Sequence, residues 1–169
     1  MTLAAFVLVV FPALVIVAAM RDATSFTIPN WISAALVLSF PVAALVAGLP
    51  LSQAGLCAAT FAVMLICAMG MFAAGWIGGG DAKLMAAAAL WIGWPGTFNY
   101  VLITAVAGGA LAVGLMMARQ SGAGMAVATG PAWLARLLDP KEAAPYGVAI
   151  AAGALAAFPS SAIFAAALR

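Results

Sequence analysis

The first 138 residues of this chain hold only two carboxylates, Asp22 and Asp81, in otherwise apolar sequence. Overall, 68% of the residues are hydrophobic and 6% charged, with a mean hydropathy of +1.25. Soluble domains carry roughly a quarter charged residues, so this composition describes an integral membrane protein. Its 169 residues leave room for several spans but not for a large soluble domain as well. The expected surroundings are the lipid bilayer. A net charge of +2 without a basic run speaks against a nucleic-acid partner. Histidine is absent, which removes Ser-His catalysis, a His-ligated haem and most catalytic zinc sites. No cofactor or metal is expected.

A helix needs about 20 mostly apolar residues to cross a bilayer. The predicted fold is all-α and polytopic, with six spans near 2–20, 31–48, 54–76, 82–94, 97–117 and 146–168 in one membrane-embedded domain. The fourth is short unless it extends into the glycines before it, tilts, or crosses only part of the membrane. Arg21 follows the first apolar run instead of preceding it, so that run reads as a retained span, not a signal peptide. Alternation puts Arg21, Lys83, Arg119, Arg136 and Lys141 on one side and only Arg169 on the other. The positive-inside rule then places both termini outside and both aspartates at the cytoplasmic end.

The stretch 118–145 is the longest polar segment, and Trp133, Leu134, Leu137 and Leu138 recur in it at helical spacing. A short amphipathic surface helix and a plain connecting loop fit it equally well. Ala105 and Gly109 offer a small-residue face for close helix packing. Cys57 and Cys67 share one apolar stretch and would stand about 15 Å apart along a helix, too far to bridge. They read as small packing residues.

Taken singly, each aspartate has a ready structural account. Asp81 follows Gly78-Gly79-Gly80 and precedes Ala82-Lys83-Leu84, where it can cap the next helix. Asp22 lies beside Arg21 just past the first span, where an interfacial charge pair is ordinary. Asn30, after Ile28-Pro29, reads as the N-cap of span 2. The combination asks for more. An acid kept near lipid is costly and marks a functional site by default. Gly78 and Gly80 remove side chains ahead of Asp81 and let another backbone approach, an extended peptide included. Two carboxyls sharing one proton titrate as a unit and can hydrolyse a peptide bond with only a water.

Here the chain resembles a known family. Gly78-x-Gly80-Asp81 matches the GxGD signature of membrane aspartic peptidases, a group that includes presenilin-like enzymes. Three blocks in order narrow the resemblance to bacterial type IV prepilin peptidases: Asp22 with Ile28-Pro29-Asn30, then Gly80-Asp81-Ala82-Lys83-Leu84, then Pro145-Tyr146-Gly147-Val148-Ala149-Ile150. The resemblance implies that Asp22 and Asp81 are the catalytic pair. It implies a prepilin partner whose basic leader is cut on the cytoplasmic side, before its hydrophobic helix. Larger members carry a cytoplasmic methyltransferase region with a paired-cysteine zinc motif. The first cytoplasmic loop here has room for only about ten residues and no cysteine, so the chain is similar to the short peptidases of Flp-type (tight-adherence) pili. Lys83 either tunes the pair electrostatically or faces lipid headgroups, and Pro145-Tyr146-Gly147 shapes the start of span 6 near the site.

Two other functions compete. A small proton-coupled transporter would use membrane acids as a relay, but it calls for charges near the bilayer middle in two related halves. A non-enzymatic secretion-complex subunit would tolerate Asp→Asn at either acid. A serine–lysine peptidase ranks last, since no serine is placed persuasively near Lys83 or Lys141.

Overall fold

The computed structural model describes residues 3–121, 131–140 and 142–169, with side chains from Leu8 onward. Lys141, residues 122–130 of the predicted loop and the first residue of predicted span 1 lie outside the described residues. Among those described, the chain is helical, with no strand.

Helix α1 runs Leu3–Ser25, five residues beyond the point where hydropathy ends the predicted span. The cause is local. Thr24 Oγ1 donates to the Met20 carbonyl at 2.7 Å and Ser25 Oγ to that of Arg21 at 2.6 Å. Both hydroxyls are satisfied by the preceding turn, so they do not compete with the helix. Asp22 therefore sits on the helix instead of past it, and the predicted ten-residue loop shrinks to the link 26–29.

Helix α2 (Asn30–Val46) starts after Pro29, which is extended and occupies the cap position. The predicted Asn30 cap does not form; Asn30 is the first helical residue and its Oδ1 accepts from Lys83 Nζ at 2.9 Å. Next come α3 (Leu51–Ala73), α4 (Gly79–Ile92), α5 (Gly96–Gln120), α6 (Ala132–Leu137) and α7 (Tyr146–Ala157). A 3-10 turn, Phe158–Ser160, then leads to α8 (Ala162–Ala167). Helix α4 draws in Gly79 and Gly80, one of the extensions expected of the short fourth span. The predicted span 146–168 is not one helix. Pro159 has no N–H to continue the ladder, and Ser161 restarts it by accepting from the Phe164 amide at 3.2 Å. Around Trp133, Leu134 and Leu137 the segment is a helix, α6, and Leu138 follows it.

Among the described residues, three helical stretches are long and apolar enough to cross a membrane unaided: Leu8–Ser25, Leu51–Ala73 and Gly96–Gln120. The shorter α4 is the centre of the bundle. From Ala86 to Ile92 every residue is buried, and α3, α2 and α7 pack around it. Its run of alanines lets those neighbours approach closely. Helix α5 lies along α7. The close approach there is made by Gly108 and Gly153, not by Ala105 and Gly109. A Cβ at Gly153 would fall 2.9 Å from the Tyr100 carbonyl and would collide with Thr104 Oγ1, whereas one at Gly109 would meet nothing within 4 Å. Both cysteines are free, Cys57 buried and Cys67 exposed.

One end of the bundle is locked by aromatic rings. Phe11 stacks at 5.4 Å from Trp91 and 4.5 Å from Phe158, and Phe40 meets Trp91 edge-on at 5.8 Å. Trp91 Nε1 donates to the Leu36 carbonyl at 2.8 Å, satisfying the one polar atom of a fully buried ring. Phe11 and Asp22 are separated by eleven residues of α1, about 16 Å along its axis. The acids thus occupy the opposite end from the aromatic lock. Trp91→Ala is expected to lower the unfolding midpoint in detergent by about 10 °C. Trp76→Ala, at a ring 72% exposed, is expected to leave it unchanged. An unshifted midpoint in the first variant would show that the cluster does not hold this end together.

Candidate active site

Asp22 comes from the last turn of α1 and Asp81 from the first turn of α4. The two chain directions oppose each other, so both carboxyls arrive at the same end of the bundle. They line a common hollow of about 230 Å³, walled by Phe26 and Ile28 of the link and by Gly78 and Gly80. The predicted charge pair of Asp22 with Arg21 is not formed: Arg21 is exposed, while Asp22 is only 6% exposed and turned inward.

The carboxyls are held differently. Asp22 Oδ2 accepts the Gly147 amide at 2.7 Å across 125 residues of sequence. That amide belongs to the first turn of α7, where backbone N–H groups are unpaired and the helix dipole favours negative charge. Asp81 Oδ2 accepts the Gly78 amide at a longer 3.3 Å. This is half of the expected capping role, with Asp81 as the third helical residue and Gly78 at the cap. Asp81 Oδ1 is buried and has no hydrogen-bond partner among the described residues. One acid is thus well anchored, and the other keeps one buried oxygen without a partner among the described residues.

Close approach explains the glycines. A Cβ at Gly80 would stand 3.2 Å from Ile28 Cβ and 3.4 Å from its carbonyl oxygen, so the link could not lie against α4. At Gly147 it would fall 2.8 Å from both Asp22 Oδ2 and Ile28 Cδ1. Gly78 has ordinary extended angles, φ −72° and ψ 151°, and serves through its amide.

Phe26 closes the other wall. Its amide donates to the Asp22 carbonyl at 2.9 Å and its φ is +55°, the left-handed turn that ends many helices and usually falls to glycine. The Arg136 guanidinium lies 5.0 Å over its ring and pairs with Glu142 at 3.0 Å. Arg119 donates to the Leu137 carbonyl at 2.9 Å, tying α5 to α6. Lys83 contacts neither carboxylate; its bond to Asn30 pins α2 to α4 beside the link.

Of the residues singled out in the sequence, Asp22, Asp81, Gly78 and Gly80 come together at this hollow, and Lys83 stays at its margin. Gly147, Phe26 and Arg136 escaped that reading as site residues. A glycine that acts through its amide leaves no chemical signature, and the Pro145-Tyr146-Gly147 block was its only trace. No cluster of three or more potential metal-ligating residues occurs among the described residues.

An acid pair at one end of a helical membrane bundle is the class of site this chain builds. Residues 9–113, more than half of the chain, match the type IV leader peptidase family, and the chain belongs to that family. No curated protein and no solved structure matches it.

Gly147→Ala is expected to push Asp22 off its amide and to lower leader cleavage about a hundredfold, as a displacement of about 1 Å at a reacting group can do. Helicity and membrane insertion should persist. Full activity in this variant would remove the Gly147 contact from the site.

Proposed function

We propose that this chain is a membrane aspartic endopeptidase that removes the basic leader of Flp-type type IV prepilins at the cytoplasmic face of the bacterial inner membrane. One observation carries the reading. In a chain of the leader peptidase family, Asp22 and Asp81, the only acids of the matched region, line one hollow from two helices.

The unequal anchoring suggests a division of labour. Asp22, held by the Gly147 amide at a helix N-terminus, is suited to carry the negative charge and to draw a proton from water. Asp81, with one oxygen free of partners, is suited to hold the shared proton and donate it to the scissile carbonyl. Water then adds to the carbonyl carbon to give a gem-diol; as the C–N bond breaks, the departing nitrogen takes the proton that Asp22 received and one diol hydroxyl returns a proton to Asp81. One water is consumed and the pair is back to a single shared proton. Burial strengthens each of these interactions by excluding bulk solvent.

The membrane arrangement follows from the same residues. Helices α1 to α5 with the α7–α8 unit make six crossings in a single membrane-embedded unit, the shorter ones shielded by their neighbours. Non-helical backbone at membrane depth is tolerated where protein surrounds it. Arg119 and Arg136 gather beside the link at the acid end. By the positive-inside rule that end faces the cytoplasm, where a precursor's basic leader lies before export. Sharing of one hollow by both acids also weighs against a relay of separated charges across the bilayer.

Asp22→Asn and Asp81→Asn should each lower cleavage of a Flp-type prepilin by about 10²–10⁴-fold, with insertion and helicity retained. The assay is purified protein in liposomes with the precursor, read as loss of the leader. Processing retained by either single variant would rule out the shared pair.

A further inference from the structure

The hollow that holds the two acids is not the only space that reaches Asp81. A second cavity, about 290 Å³, opens on its other side between α3 and α5, with Met71 on one wall, Ala105, Gly109 and Ala112 on the other, and Met85 and Ile150 as its floor. Helix α3 packs along α4 and α5 along α7, but α3 and α5 hardly meet, which leaves the gap. The gap continues towards the aromatic end. A further apolar cavity of about 460 Å³ lies between Leu56 and Val63 of α3 and Phe98 of α5 with Trp94 just before it, and Val101 lines both. From Leu56 to Met71 the groove follows fifteen residues of α3, about 22 Å. That is most of a hydrocarbon core of about 30 Å.

We infer that the α3–α5 groove is the seat of the substrate's own transmembrane helix, admitted sideways from the bilayer so that its first residues end at Asp81. This rests on the peptidase reading above and adds where the uncleaved precursor lies. Three features fit a helix, and the last two favour it over lipid. The groove is apolar for about 22 Å, most of the hydrocarbon core. Its α5 wall presents small residues, and Gly109 has open space where a Cβ would stand, so a second backbone can come close. Its inner end is lined by Asp81, whose buried Oδ1 has no partner among the described residues; an acyl chain offers that oxygen no donor, and a peptide leaving its helix does. The scissile bond then falls between two environments. The polar leader runs past Phe26 and Thr27, and the apolar segment runs away from Asp81 along α5.

The test places a photo-crosslinking amino acid at Val63 or at Gly109 in the Asp22→Asn protein, which would hold precursor uncut, in membranes containing a full-length prepilin. Ala110, exposed and turned about 100° round α5 from Gly109, serves as control. The expected result is adducts within the precursor's apolar helix from both groove positions, the Gly109 adduct nearer the cleavage point, and none from Ala110. Adducts only to lipid at Val63 and Gly109 would overturn the inference. In the otherwise unaltered protein, Gly109→Leu and Ala105→Leu should raise KM for the full precursor about tenfold and change kcat little, the sign of lost ground-state binding. The preference for precursor over a leader-spanning peptide without the helix should fall by the same factor. An unchanged KM in both variants would likewise sink the groove. If the wild-type protein cut no precursor, the peptidase reading would fail by itself, and the crosslinks would still decide what occupies the groove.

Discussion

A carboxylate inside an apolar bundle must be satisfied by whatever backbone can be brought to it, and here that is the amide of Gly147. The bond from this amide to Asp22 Oδ2 joins the end of the first helix to the start of α7, 125 residues later. Much of the acid end is arranged to permit it. Helix α1 has to extend beyond its hydropathic limit to carry Asp22 inward, and the hydroxyls of Thr24 and Ser25 allow that by bonding to the preceding turn. The link has to turn sharply after Ser25, which Phe26 does with a left-handed backbone. Ile28 has to lie flat against α4, which Gly80 permits. Each step is a small local concession, and together they place one acid where α4 places the other.

The opposite end shows why the acids can be held at all. Burying two carboxyls is unfavourable, so the helices that carry them have to be held by contacts elsewhere. Phe11, Trp91, Phe158 and Phe40 supply that at a distance of about 16 Å along α1, with the indole N–H of Trp91 bonded to the Leu36 carbonyl. Helix α4 connects the two ends directly, since Asp81 lies in its first turn and Trp91 in its last. Its alanine-rich middle then acts as a narrow spacer around which broader helices close.

Much of this was legible in the sequence, for identifiable reasons. Asp22 and Asp81 stand out because charge is so rare around them, and the glycines before Asp81 because three in a row have few other uses. Helix limits were less legible. Hydropathy ended the first span at Met20 because it counts Thr24 and Ser25 as polar, although in a helix their hydroxyls fold back onto carbonyls. It ran the last span through Pro159 because proline scarcely lowers an apolar average, although it breaks the ladder. The small-residue face was placed at Ala105 and Gly109, one helical position away from Gly108, which meets α7. Sequence spacing identifies a stripe of small residues but not which edge of it is used. Asn30 looked like a cap because its type favours caps, and nothing local announced a lysine 53 residues away that would take its side chain.

Asp81 is where these constraints meet. On one side it faces the polar hollow with Asp22, the link and the glycine amides. On the other it faces an apolar groove that leads away between α3 and α5. A substrate that is polar before its cleavage point and apolar after it would change environment at this residue and nowhere else along the groove. Position along the chain would then be selected by partition: the polar part cannot enter the groove without losing its hydration, and the apolar part gains nothing in the hollow. A buried oxygen without a partner is costly, and on the proposed reading an arriving peptide would relieve it. The same residue would then mark the border between the two halves of a precursor and act on it, so that a small pair of acids would be selective without an elaborate recognition surface.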